Sequence, residues 1–113
     1  MSIEKNYEIT LDLREEKHEN ILKFDDEDIN VNSVKMFIEN GGEKVDIEGI
    51  QGTLYIQKPN RKVLRILCEN QGKYFYINLP EEFTDLEGMY TGQLALVKGN
   101  KRVISDTFKY EVK

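Results

Sequence analysis

From Tyr7 to Leu13 apolar and polar residues alternate without a break. Tyr7, Ile9, Leu11 and Leu13 fall on one side of an extended chain, and Glu8, Thr10 and Asp12 on the other. A period of two predicts a half-buried β-strand. The short run Ile21-Leu22-Lys23-Phe24 follows a polar stretch, and Val31 to Glu39 then sets Val34, Met36 and Ile38 on one face. Asn40-Gly41-Gly42 predicts a turn, because glycine reaches positive φ with no Cβ to clash. Val45 to Gly49 reads as a connection. Thr53 to Lys58 predicts a strand with Leu54 and Ile56 on one face, stopped by Pro59-Asn60. Lys62 to Cys68 and Lys73 to Leu79 predict two neighbouring strands of a hairpin with its tip at Asn70-Gln71-Gly72. Pro80-Glu81-Glu82-Phe83 is the one helical signal, with proline at a first helical position and acids at the positive end of the dipole. It can run only a turn or two before Gly88. Met89 to Lys98 and Arg102 to Val112 form the last pair, turning at Gly99-Asn100 and placing Phe108, Tyr110 and Val112 together.

About eight short strands at regular intervals with one short helical turn predict an all-β fold, a two-sheet antiparallel β-sandwich. No repeat, linker or low-complexity tract divides the 113 residues, so a single domain over residues 1–113 is expected. One local motif narrows the class to immunoglobulin-like. Asp85-Leu86-Glu87-Gly88-Met89-Tyr90-Thr91-Gly92 resembles the entry to the sixth strand of such sandwiches, where a tyrosine hydroxyl fastens a corner to the backbone. Pro80, Gly88 and Tyr90 are the expected structural corner. Gly92 stands where antibody domains carry a cysteine, and the chain has no tryptophan, so an antibody-type domain is not expected.

Composition adds limits rather than a function. At 39% hydrophobic and 10% aromatic the chain is too apolar for a disordered one, and it has no apolar run long enough to span a membrane. Met1-Ser2-Ile3-Glu4-Lys5 lacks the basic stretch and apolar block of a secretory signal, so synthesis in the cytoplasm is the expectation. A net charge of −5 argues against nucleic acid as a partner. The charge is uneven, however. Arg14 to Asp28 is dominated by acids, whereas Lys58 to Lys73 carries Lys58, Arg61, Lys62, Arg65 and Lys73 against Glu69 alone. Cys68, the one cysteine, lies in an apolar run and reads as a buried free thiol.

Little catalytic chemistry is legible. His18, the one histidine, sits among Glu15, Glu16, Lys17 and Glu19, which leaves no triad and no histidine-rich zinc site. Asp25-Asp26-Glu27-Asp28 offers hard oxygen ligands but lacks the spacing of a calcium loop; it reads as a solvated acidic turn, with a weak calcium site as the alternative. No glycine-rich loop cradles phosphate, and no enzyme activity, metal or cofactor is expected.

Two strands carry more apolar residues than one buried face needs. In Lys62 to Cys68, Leu64, Ile66 and Cys68 share one side while Val63 and Leu67 flank Arg65 on the other. In Lys73 to Leu79, Phe75, Ile77 and Leu79 oppose Tyr74 and Tyr76. The outer row of Val63, Arg65, Leu67, Tyr74 and Tyr76 is therefore the expected interface, for self-association into a homo-oligomer or for docking to a partner. The alternative is that the Val45 to Gly49 connection or a terminal segment folds over it.

Tyr7-Glu8-Ile9-Thr10-Leu11-Asp12-Leu13, Val34 through Gly42, Val45-Asp46-Ile47-Glu48-Gly49, Lys58-Pro59-Asn60, Leu79-Pro80-Glu81-Glu82-Phe83, Gly88-Met89-Tyr90 and Ser105 through Val112 follow one another along nearly the whole chain. In that order they resemble the N-terminal domain family of baseplate upper proteins from tailed phages of Gram-positive bacteria. The resemblance implies an immunoglobulin-like sandwich in a virion tail, made in the bacterial host cytoplasm. It also implies a non-enzymatic structural or adaptor role, anchoring receptor-binding or fibre parts to the tail, with other tail and baseplate proteins as partners. Such domains usually have a fibre segment downstream, and its absence after Glu111 leaves either a free-standing version or an attachment domain. The rival expectation is a carbohydrate-binding β-sandwich module, in which tyrosines would replace the usual tryptophan platforms. A third is a generic immunoglobulin-like interaction domain.

Overall fold

The structure, a computed structural model, describes residues 5–13, 21–24 and 32–112. His18, Val31 and the acidic turn Asp25 to Asp28 lie outside the described residues, and of Tyr7 only the backbone is described. The described strands in chain order are β1 (Lys5–Asp12), β2 (Ile21–Phe24), β3 (Asn32–Asn40), β4 (Glu43–Lys44), β5 (Gln51–Gln57), β6 (Val63–Leu67), β7 (Glu69–Asn70), β8 (Phe75–Asn78), β9 (Gly88–Lys98) and β10 (Lys101–Val112). A single 3-10 turn, Glu81–Phe83, is the helical element among them.

The strands form two sheets. One has the order β1-β3-β8-β7, with β4 also on β3; the other has the order β2-β10-β9-β5-β6. Both are rich in antiparallel pairs, as the turn signals predict, but β1 pairs with β3 and β2 with β10 in parallel. Between β1 and β3 along the chain comes β2, which belongs to the second sheet, so the first parallel pair is not a hairpin of consecutive strands.

The residues facing between the sheets are those that alternation selects. Ile9, Leu11, Val34, Met36, Ile38, Phe75 and Ile77 come from one sheet, and Leu54, Ile56, Leu94, Phe108, Tyr110 and Val112 from the other; all are buried. Each such aliphatic or aromatic side chain contributes about 1.5–3 kcal/mol by leaving water. Connections seal the gaps: Ile47, Leu79 and Phe83 are buried as well. Asn70 ties the Val45 to Gly49 connection to β7, its side-chain amide donating to the carbonyls of Ile47 at 2.7 Å and Ile50 at 2.9 Å.

Three local features explain departures from plain alternation. Asp12 is on the polar side of β1, yet it is buried, because its carboxylate accepts from the N–H groups of Gly41 and Gly42, both at 3.1 Å. The β9–β10 register shifts between Ile104 and Thr107, where a bulge interrupts the ladder. There Ser105 Oγ accepts from the Leu94 N–H at 3.0 Å, inside the protein. At Gly92, directly across from Phe108, a Cβ would meet the Phe108 ring at 2.3 Å. The phenyl ring thus occupies the space that a side chain on Gly92 would need.

The expected hairpin of Lys62 to Cys68 with Lys73 to Leu79 is not what forms. β6 pairs with β5 in the second sheet, and β8 pairs with β3 and β7 in the first. The bond from the Cys68 N–H to the Gly52 carbonyl at 2.9 Å is the last rung of the β5–β6 ladder. The chain then crosses to the other sheet, where Glu69 and Asn70 face Tyr76 and Phe75. Period-two alternation fixes which side of a strand is apolar, not which sheet the strand joins.

Candidate protein interface

The outer row is consequently split between opposite sides of the sandwich. Val63, Arg65 and Leu67 lie on the outer side of β6, with Val63 62% and Leu67 64% exposed. Cross-strand partners share a side, so Thr53, Ala95 and Ile104 continue the row that begins at Leu67. Ile104 is also exposed. It joins this face because the bulge resets the alternation of β10, and the only trace in the sequence is the broken pattern Ile104-Ser105-Asp106-Thr107. Tyr55 stands between Arg65 and Gln93 on the same side. The Val45 to Gly49 connection does not cover this face; it is bound to Asn70 instead.

Tyr74 and Tyr76 belong to the opposite side, on and before β8, and are half-buried. The Tyr74 ring lies 5.5 Å from that of Phe37, with Lys35 Nζ 5.0 Å from its centroid. Tyr76 donates its hydroxyl to Asn78 Oδ1 at 2.9 Å. Near them a groove of about 520 Å³ is lined by Thr10, Phe37, Glu39, Lys44, Asp46 and Lys73, among others. Its lining contains no histidine or cysteine.

The corner is built around two stacked tyrosines. Tyr90 is fully buried and its ring stacks on Tyr110, with centroids 4.7 Å apart. Its hydroxyl accepts from the Leu86 N–H at 2.9 Å and donates to the Leu86 carbonyl at 3.1 Å, closing the loop before β9. Tyr110 donates to the Phe83 carbonyl at 2.8 Å and thereby holds the 3-10 turn. Pro80 precedes that turn in extended conformation, and its carbonyl accepts from the Phe83 N–H at 2.9 Å. Gly88 has φ +129°, and a Cβ there would also meet Pro59 at 3.0 Å. Lys58, largely buried, reaches Asp85 at 2.7 Å, and this bond holds the Asp85 carboxyl below its usual range. Burial pushes both tyrosine hydroxyls upward.

Cys68 is half-buried, and desolvation raises its thiol to about 12, so it stays protonated near neutrality. Among the described residues no group of three or more His, Cys, Asp or Glu side chains could hold a metal ion. No helix among them is long and apolar enough to cross a membrane.

Two facing antiparallel-rich sheets, closed at one corner by a tyrosine and without an inter-sheet disulfide or tryptophan, define an immunoglobulin-like β-sandwich. More narrowly, the chain belongs to the BppU N-terminal domain family, whose profile matches residues 5–113. Among solved structures it is similar to the N-terminal domain of ORF48 of phage TP901-1, with a TM-score of 0.76 over 96% of this chain and 98% of that one. At 18% identity this likeness shows the fold. No curated protein matches the chain.

Proposed function

We propose that the chain is a non-enzymatic structural domain of a phage baseplate that attaches receptor-binding or fibre components to the virion tail. Family membership supports the tail role. The observation that carries the docking site is the exposure of Val63 and Leu67 on one strand of a small sandwich, continued by Ile104 across the same face. Apolar side chains grouped in this way around an arginine have the composition of a protein interface. Copies of the chain associate through the other side, where Tyr74 and Tyr76 lie. The sugar-binding alternative has less support, since both tyrosines are half-buried and held by neighbours rather than presented as platforms.

A Val63→Ser, Leu67→Ser double variant tests the docking site. It is expected to melt like the parent and to be missing from assembled tails seen by electron microscopy. Tails that carry the variant in full number would refute the assignment. Self-association is read by sedimentation, where Tyr74→Ser, Tyr76→Ser protein is expected to run lighter than the parent; a parent that is monomeric at high concentration removes that half of the reading.

A further inference from the structure

Two main-chain hydrogen bonds bracket the β5–β6 ladder. The Lys58 N–H donates to the Lys62 carbonyl at 2.8 Å at one end, and the Cys68 N–H to the Gly52 carbonyl at 2.9 Å at the other. Hydrogen-bonded and non-bonded pairs alternate in an antiparallel ladder, and the register between these ends has no shift. Leu64 and Ile66 therefore direct their N–H and C=O groups at β5. Val63, Arg65 and Leu67 direct theirs away from it, toward the side of β6 where the sheet order ends among the described residues. The residues whose side chains form the outer row are thus the same ones whose main chain is open.

Of the devices that blunt an edge, this strand has only its short length and the one charge of Arg65. It has no proline and no bulge, and its inner residues Leu64 and Ile66 are only half-buried, because the facing edge of the other sheet is the two-residue strand β7. A strand laid along β6 would gain main-chain bonds and cover apolar side chains on both sides at once.

Charge selects the occupant. The chain has 21 acidic residues, yet none lies on β5, β6 or β9. Arg65 sits at the centre of the open edge, and Arg61 and Lys62 lead into it, both exposed. Two copies meeting edge to edge would bring these cations together. We infer that β6 takes an acidic, extended strand of a partner chain by main-chain pairing, a mode that rests on the docking site proposed above.

The test uses amide hydrogen exchange of the isotopically labelled chain with a short capped peptide alternating valine and glutamate, and with its lysine counterpart. In the free protein the amides of Leu64 and Ile66 should be protected while those of Val63, Arg65 and Leu67 exchange freely. The glutamate peptide is expected to slow these last three several-fold, and the lysine peptide to leave them unchanged. Protection by neither peptide, or equally by both, overturns the inference; so does concentration-dependent protection without peptide, which would make the occupant a second copy. Arg65→Pro removes an outward N–H that β5 does not use, whereas Arg65→Ala keeps it. Incorporation into tails should fail for Arg65→Pro and persist, weakened, for Arg65→Ala. Should the two behave alike while the Val63→Ser, Leu67→Ser variant fails, edge pairing is overturned and the docking site stands; should all three incorporate normally, the docking site itself is lost.

Discussion

A methyl group on Gly92 would have no room. Its Cβ would lie 2.3 Å from the Phe108 ring and 2.9 Å from Ile56 Cδ1, both inside the core. The Phe108 ring has little room to retreat, because it also packs near Tyr110, their centroids 6.5 Å apart, and Tyr110 is held through Phe83. Overpacking of this kind costs about 1–3 kcal/mol. Gly92→Ala is therefore expected to lower the urea midpoint with an unchanged slope, and Gly99→Ala to do so for another reason: at φ +62° it is strained, although its Cβ would meet nothing. The position matters because Gly92 stands directly across from Phe108 in the ladder, so the ring can lie over it only while it has no side chain. The corner residues Gly88 and Tyr90 are legible from their spacing, but nothing in that spacing names Leu86 as the group held or Tyr110 as the ring stacked beneath. Asp12 is not legible at all, since the glycine amides it binds are 29 and 30 residues away.

Among the elements, the bulge in β10 decides the most. It turns Ile104 outward and leaves the Leu94 N–H facing a register shift, where Ser105 supplies the acceptor. Ser105→Ala strands that buried donor, at a cost of about 1–3 kcal/mol, and Ser105→Thr, which keeps the hydroxyl, should cost less. Chemical denaturation of the three proteins side by side gives the comparison. The long strands are legible because each has one face in the core, so polarity alternates with the backbone. β4 and β7 are not, since two residues carry no period. The placement of β6 and β8 in different sheets is also hidden, because apolar residues on both sides of a strand look alike whether the second side faces a partner, a solvent-exposed edge or a neighbouring loop.

For the molecule as a whole, the stacked tyrosines set an alkaline limit. Burial raises the Tyr110 phenol above its ordinary 10.0, and a neighbouring Tyr90 adds to the shift. In the folded chain the proton is retained at a pH where the unfolded chain has released it, so stability is complete below pH 10 and declines as the pH rises past it. Thermal melts across that range should show the decline, and Tyr110→Phe should show a shallower one from a lower starting point, having lost the bond to Phe83. The parallel pairing of β2 with β10 has a consequence for how the molecule is made. Residues 21–24 emerge from the ribosome long before residues 109–112, their partners in the second sheet. At roughly 5–20 residues per second the wait lasts about 4–18 seconds. Through that interval Ile21-Leu22-Lys23-Phe24 is an apolar strand with no ladder to join, and the acids around it, Glu19 before and Asp25 to Asp28 after, are the charges that keep such a segment from pairing with the wrong chain.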